Sequence, residues 1–289
     1  MSRPQQFEFN RSRGIVWVCD VAGSSSRLNS DNGVEDTEAF LPRLYWVAAL
    51  LVESAGGKFI KWTGDGFLAW FEMPLHRELQ QTVSRCLEAL WHLSMIVNVT
   101  QLGTASKVRF KIRHGLTYEK DALLTKIIHP SGFETLDLMG RAVVLAFRLS
   151  GINAYFPCVA TEREIVEAVD SRFVGEFVKW IPNAEESLKY FKGEKWGTKS
   201  LYVSREKRSR PTSKKAIAKR VKLAINKAEG HTSIEDAQLT FAKVIEAGLK
   251  SGPEWSQQVA EDYAYFLNEG LLKSLKMALS TLESVAAQK

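Results

Sequence analysis

Cysteine is scarce in this 289-residue chain: three residues, Cys19, Cys86 and Cys158, odd in number and far apart. That excludes a disulfide framework and a cysteine-based zinc site, and it fits reduced, buried thiols in a cytoplasmic protein. Histidine is equally sparse. The five histidines show no metal-ligand spacing, and His129 beside Pro130 reads as a loop residue. No apolar run is long enough to cross a bilayer; the longest candidate, Leu41 to Val52, is interrupted by Pro42 and Arg43 and reads as a buried helix. Met1 to Gln6 lacks an apolar h-region, so no secretion signal is expected, and neither is membrane insertion. No internal repeat is visible. The net charge of +6 is concentrated between Arg205 and Lys222. This stretch lacks the interleaved aromatics of a single-strand nucleic-acid platform, so it is read as a solvated linker and helix start, and no nucleic-acid partner is expected.

The chain does have an ordinary globular make-up, 45% hydrophobic and 25% charged residues, and two aspartates in glycine-punctuated turns. Asp20 lies in Val18-Cys19-Asp20-Val21-Ala22-Gly23-Ser24-Ser25-Ser26, and Asp65 in Trp62-Thr63-Gly64-Asp65-Gly66-Phe67. Each follows a strand-like run, Ile15 to Cys19 and Lys58 to Trp62. Mg²⁺ takes one or two carboxylates together with substrate phosphates, so two strand-end carboxylates suit a metal-bound polyphosphate. Gly23 and Ser24 let the backbone approach the phosphates, and the helix after them offers its positive end. Other readings remain open. Asp-Gly is a common hairpin turn, and Ser24 to Ser26 would equally serve as a helix cap. An acidic group ending an apolar strand, as Asp20 does, calls for a partner.

Periodicity gives the organisation. Thr37 to Ser54 reads as a helix ended by Gly56-Gly57. Lys58 to Trp62 and Phe67 to Phe71 form a hairpin about Gly64-Asp65-Gly66. His76 to Val99 reads as a second long helix, Val108 to His114 as a half-buried strand, and Leu138 to Leu149 as a third helix opening after Asp137. Cys158 to Ala160 reads as a short strand, Glu162 to Val169 as a short helix and Lys199 to Ser204 as a last strand. Residues 1–204 thus form an α/β domain, 205–216 a basic linker with Pro211, and 217–289 a helical region whose Thr232-Ser233-Ile234-Glu235 is a capping-box start.

From Gly14 to Ser204 these residues resemble the class III nucleotide cyclase catalytic domain, the adenylate/guanylate cyclase family. Asp20-Val21-Ala22-Gly23 matches its first metal motif and Gly64-Asp65-Gly66-Phe67 its second. Arg113-His114-Gly115-Leu116 approximates its Arg-x-Gly strand end, and Gly140-Arg141-Ala142-Val143-Val144-Leu145-Ala146-Phe147-Arg148 its signature helix. Lys192-Gly193 before Leu201-Tyr202-Val203 matches its terminal lysine and strand. The resemblance implies a ferredoxin-like α+β fold, with a central, mostly antiparallel sheet flanked by helices and a C-terminal helical appendage. It implies cyclisation of a nucleoside triphosphate with two divalent cations, Mn²⁺ or Mg²⁺, held by Asp20, Asp65 and the Val21 carbonyl. Arg148 would stabilise the transferring phosphoryl group from the partner subunit of a homodimer with composite sites. Lys192, or else Lys195, would meet the terminal phosphates. Val144 departs from the pattern: the family places Asn there, and valine donates no hydrogen bond.

In the family two positions read the base, here Lys61 and Asp137. That pair alone suggests adenine. Trp62 beside Lys61, the crowded Phe59-Ile60-Lys61-Trp62 strand and the loss of Asn at Val144 suggest a narrower, pyrimidine pocket. The layout, a catalytic domain and a helical tail, is similar to the stand-alone pyrimidine cyclases of bacterial Pycsar antiphage systems. That likeness implies cyclic UMP, or cyclic CMP, activating a separate effector. An adenylate cyclase and a silent nucleotide-binding module are the alternatives.

Overall fold

The computed structural model describes residues 6–28, 33–73, 79–100, 110–129, 131–155, 157–170, 173, 175–192 and 200–205. The expected linker and helical region from residue 206 onward, and Gly193 and Lys195, lie outside these residues. Within them the element order is β1 (Gln6–Val21), α1 (Ser24–Leu28), α2 (Gly33–Ser54), β2 (Lys58–Trp62), β3 (Phe67–Glu72), α3 (Leu79–Thr100), β4 (Ile112–Ile128), β5 (Glu134–Met139), α4 (Arg141–Ser150), β6 (Val159–Glu162), α5 (Arg163–Glu167), β7 (Phe177–Trp180), α6 (Ala184–Phe191) and β8 (Leu201–Ser204).

The strands form one mixed sheet in the order β2-β3-β1-β4-β6-β8-β7, with β5 paired to β4. Only the β4–β6 pairing is parallel among the described strands. The central segment of β1 is the apolar run Ile15 to Cys19, and each of its residues is at most 1% exposed. A strand covered on both faces needs such a run rather than an alternating one. A register shift between Ser12 and Gly14 bends β1. A Cβ on Gly14 would lie 2.1 Å from the Phe71 carbonyl oxygen, so only glycine fits there.

The hairpin of β2 and β3 forms where the sequence places it, and α2 and α3 match the two long amphipathic helices to within a few residues. Two expectations are corrected. The strand expected over Val108 to His114 begins at Ile112 and continues to Ile128, and the helix expected from Leu138 begins only at Arg141. Leu138 and Met139 belong to β5, where they pair with Leu124 and Leu123. The charged run Glu119-Lys120-Asp121 hides the strand's continuation, and Gly132 at φ 83° supplies the turn that folds β5 back. Asp137 therefore sits within a strand. β7 and α6 have no counterpart in the periodicity analysis; α6 opens on a capping box between Asn183 and Glu186.

The chain divides into two compact units. Of the described residues, the first holds those within 6–24, 52–90 and 112–205. Its core cluster joins Val16, Val18, Leu68 and Trp70 of the sheet to Ala142, Val143 and Ala146 of α4. A second cluster sets Leu145 and Leu149 of α4 against Phe191 of α6 and Leu201 of β8. Of the described residues, the second unit holds 25–28, 33–51, 91–100 and 110–111. In it the Phe40 ring stacks on Phe110 at 3.9 Å, and the Arg27 guanidinium lies 4.1 Å from the Phe110 centroid. Among the described residues no helix is long and apolar enough to cross a membrane.

Candidate functional site

Both aspartates come to the same end of the sheet because a glycine lets two backbones touch. Asp20 is the penultimate residue of β1, and Asp65 lies in the turn between β2 and β3, which pairs with β1. A Cβ on Gly66 would stand 2.1 Å from the Cys19 carbonyl oxygen and 3.2 Å from Asp20 Cα. The turn thus presses directly on the backbone that carries Asp20. Gly64 at φ 86° and Gly23 at φ 74° adopt the left-handed conformations that close the two loops.

Each carboxylate has one neighbour that holds it. The Ser24 hydroxyl donates to Asp65, joining the two loops. The Arg113 guanidinium donates to Asp20, its cross-strand neighbour on β4, and also reaches the Gly151 carbonyl at 3.0 Å and Asn153 Oδ1 at 3.3 Å. Burial raises the Asp20 pKa above its ordinary value, the Arg113 bond and charge pull it back, and the neighbouring Asp65 charge raises it further. Two half-buried carboxylates that repel one another suit a cation between them. Among the described residues no cluster of three or more His, Cys, Asp or Glu forms. The donor set is two carboxylates with nearby backbone carbonyls, oxygen only, which fits a hard cation that takes its other ligands from phosphates and water. Val21, the third expected donor, ends β1 opposite Ile112 and is 1% exposed.

The role expected of the following helix is smaller than anticipated: α1 has five residues, too few to sum an appreciable dipole.

A second cluster lies on the face of the sheet that packs against α4. Lys61 Nζ donates to Asp137 Oδ1 at 2.6 Å, tying β2 to β5, and the same oxygen accepts from the Leu138 amide at 2.8 Å. The two residues expected to act as a pair do meet. Trp62 does not join them. Lys61 pairs with Leu68, whose side chain is in the α4 cluster, whereas Trp62 pairs with Phe67. The Trp62 ring packs 4.1 Å from Phe59 and 6.2 Å from Phe67, on the face of Trp17. The two-residue period of a strand separates them, so the expectation that Trp62 narrows the Lys61–Asp137 pocket is corrected.

Val144 and Arg148 lie on α4. Val144 is 44% exposed and Phe147 38%, on the side of the helix away from the core. Lys192 is exposed and forms the left-handed C-cap of α6 at φ 48°, its amide donating to Leu188 O at 3.0 Å. No hydrogen bond among the described residues joins it to Asp20 or Asp65. The sequence reading missed Arg113 as the partner of Asp20, although Arg113-His114-Gly115-Leu116 was already singled out.

No family model and no curated protein matches the chain. Solved structures do. A bacterial light-regulated adenylyl cyclase superposes with a TM-score of 0.50 at 16% identity, covering 70% of this chain and 55% of that one. The adenylyl cyclase CyaB from P. aeruginosa gives 0.49 at 15% identity, covering 70% and 97% of the two chains, and the guanylyl cyclase Cya2 gives 0.47 at 17%, covering 74% and 98%. At such identity the likeness shows the fold: a central sheet flanked by helices, arranged as in a nucleotide cyclase domain.

Proposed function

We propose that this protein is a nucleotide cyclase that uses Asp20, Asp65 and the Val21 carbonyl to hold two divalent cations, Mg²⁺ or Mn²⁺, on a nucleoside triphosphate. The observation that carries the reading is the meeting of two oxygen-donor turns at one sheet end, enforced by Gly66 against Cys19 and Asp20. Divalent cations there would lower the pKa of the ribose 3′-hydroxyl and neutralise the triphosphate. The 3′-hydroxyl would give its proton to water, its oxygen would bond to the α-phosphorus, the bond from that phosphorus to the oxygen bridging it to the β-phosphate would break, and pyrophosphate would leave. Gly23 and Ser24 would line the phosphates, Arg148 would meet the charge developing on the α-phosphate, and Lys192 the terminal phosphates.

Lys61 and Asp137 would read the base, one donating and one accepting. UTP is the favoured substrate, with CTP second. Uracil offers carbonyl acceptors beside an imide N–H, which matches one ammonium and one carboxylate. Those side chains already touch at 2.6 Å, so a one-ring base needs less opening than a purine, and Val144 removes the amide expected beside the sugar. On this reading the product is a messenger for a separate effector in antiphage defence. Adenylate cyclase is the second reading, favoured by the same intact Lys61–Asp137 ion pair, since adenine also offers an acceptor beside an amine.

Turnover of each of the four triphosphates with Mn²⁺ tests both. UTP is expected to be cyclised fastest, and Asp20→Ala and Asp65→Ala to abolish the activity without loss of fold. ATP in first place assigns an adenylate cyclase. Near-normal turnover in either aspartate variant overturns the metal site, and no turnover of any triphosphate overturns the enzyme in favour of a binding module.

A further inference from the structure

Helix α4 carries Val144 and Arg148, yet it begins without a cap of its own. Its N-cap residue is Gly140, extended in backbone and with no side chain to receive the first amides. The cap comes from another element. Glu119 of β4 extends its Oε2 to the Ala142 amide at 2.9 Å, the second amide of the helix, which an N-cap serine or aspartate would ordinarily take. The same carboxylate's Oε1 accepts from the Lys120 amide at 3.0 Å. Beside it the Thr117 hydroxyl donates to the Ala142 carbonyl at 2.8 Å, so both backbone polar groups of Ala142 are bound to β4. One residue away, the fully buried Glu162 accepts from the Tyr118 amide at 2.7 Å and fixes the strand from the β6 side.

The contact continues down the strand. A Cβ on Gly115 would lie 2.0 Å from the Ala146 carbonyl oxygen, so the helix backbone rests on that glycine, and Arg113 holds the Gly151 carbonyl just past the helix end. Arg113, Gly115, Thr117 and Glu119 share one face of β4 by the two-residue period. They locate α4 from its last turn to its first.

We propose that Glu119 is a positioning residue for the reaction: its carboxylate, acting as an N-cap donated by a strand, sets the seating of α4 and hence the aim of Arg148. The proposal rests on the cyclase reading for its consequence in rate, and on geometry alone for the cap. It also explains why residue 140 is glycine. A Cβ there would stand 2.7 Å from Glu119 Oε2, in the space the carboxylate fills.

The test is a double-mutant cycle in the full chain, read by thermal unfolding and by kinetics. Glu119→Ala is expected to lower Tm by about 3 °C. It should also lower kcat about ten- to a hundredfold, because a small misplacement of a group acting in the transition state costs that much. KM for the triphosphate should stay within about twofold, since ground-state binding is untouched. Glu119→Gln, which keeps an acceptor, should recover most of kcat. Gly140→Ser, made on the Glu119→Ala chain, places a hydroxyl at the vacated cap and should raise both Tm and kcat. The same change made on the wild-type chain only displaces the carboxylate and brings no gain. Additive effects of the two substitutions on Tm overturn the cap. A kcat unchanged in Glu119→Ala, or a loss that neither Gln nor the Gly140→Ser chain restores, overturns the positioning role. If the wild-type chain turns over no triphosphate, the enzymatic reading fails while the Tm cycle still decides the cap.

Discussion

At the scale of single residues, two histidines in the fold are buried, His114 wholly and His92 with 6% exposure. His114 is wholly buried beside Trp17, whose Nε1 donates to His114 Nδ1 at 3.2 Å, so the ring is neutral with its proton on Nε2. Burial lowers its pKa to about 3, and it lowers that of His92 to about 4. In the unfolded chain both rings take up a proton near the ordinary value, about 6.5. The sign follows from that difference. Well above about pH 6.5 neither ring is protonated in either state, and the two rings add no pH dependence. Below it the unfolded state binds protons that the folded state refuses, and stability falls by up to about 1.4 kcal/mol per pH unit for each ring. Urea midpoints measured from pH 8 to pH 5 should be flat and then decline, and His114→Gln, which keeps an acceptor for Trp17, should flatten the decline. A midpoint insensitive to pH across this range would mean that the rings reach solvent. Residue identity was legible where chemistry is local: Asp20 and Asp65 announce themselves by strand-end turns. Arg113 as the partner of Asp20 was not, because a contact 93 residues apart is set by sheet register and no spacing encodes it. The side of the sheet taken by Trp62 was in principle readable, since it directly follows Lys61, past the register shift between Phe59 and Lys61.

At the scale of elements, the hairpin of β2 and β3 was legible because Gly-Asp-Gly between two apolar runs has few other readings. The hairpin of β4 and β5 was not. Its first strand crosses Glu119-Lys120-Asp121, charges that break the alternation, and one of them turns out to be the cap of α4. The local rule fails where a residue serves a tertiary contact. The same contact yields a prediction. Gly115→Ala puts a methyl 2.0 Å from the Ala146 carbonyl oxygen and 2.7 Å from the Ser150 amide nitrogen. Both are backbone atoms, so no side-chain rotation relieves the clash and α4 must lift. A loss of about 2–3 kcal/mol in urea unfolding is expected. A cost below about 0.5 kcal/mol would show that α4 is not seated on this strand as described.

At the scale of the whole molecule, one arginine already serves Asp20 within the chain: Arg113, which ties that carboxylate to the end of α4. In the proposed reaction the cation for the transferring phosphoryl group has to be a different one. The proposed Arg148 sits on a helix that turns Val144 and Phe147, 44% and 38% exposed, outward at a spacing of three. An apolar pair of that kind suits coverage by a second copy, and on the proposed reading Arg148 would then reach the aspartates of its neighbour. Mixing tests this. On the proposed reading an Asp20→Ala chain loses the metal site but can still lend Arg148, and an Arg148→Ala chain loses the arginine but keeps the aspartates. Each homodimer should be inactive, whereas the heterodimer should carry one complete site of two. With random exchange of equal amounts, half the dimers are mixed, so about a quarter of wild-type activity should return. A mixture shown to contain heterodimers yet lacking activity would remove Arg148 from the neighbour's site and leave the phosphoryl charge to be met from within the same chain.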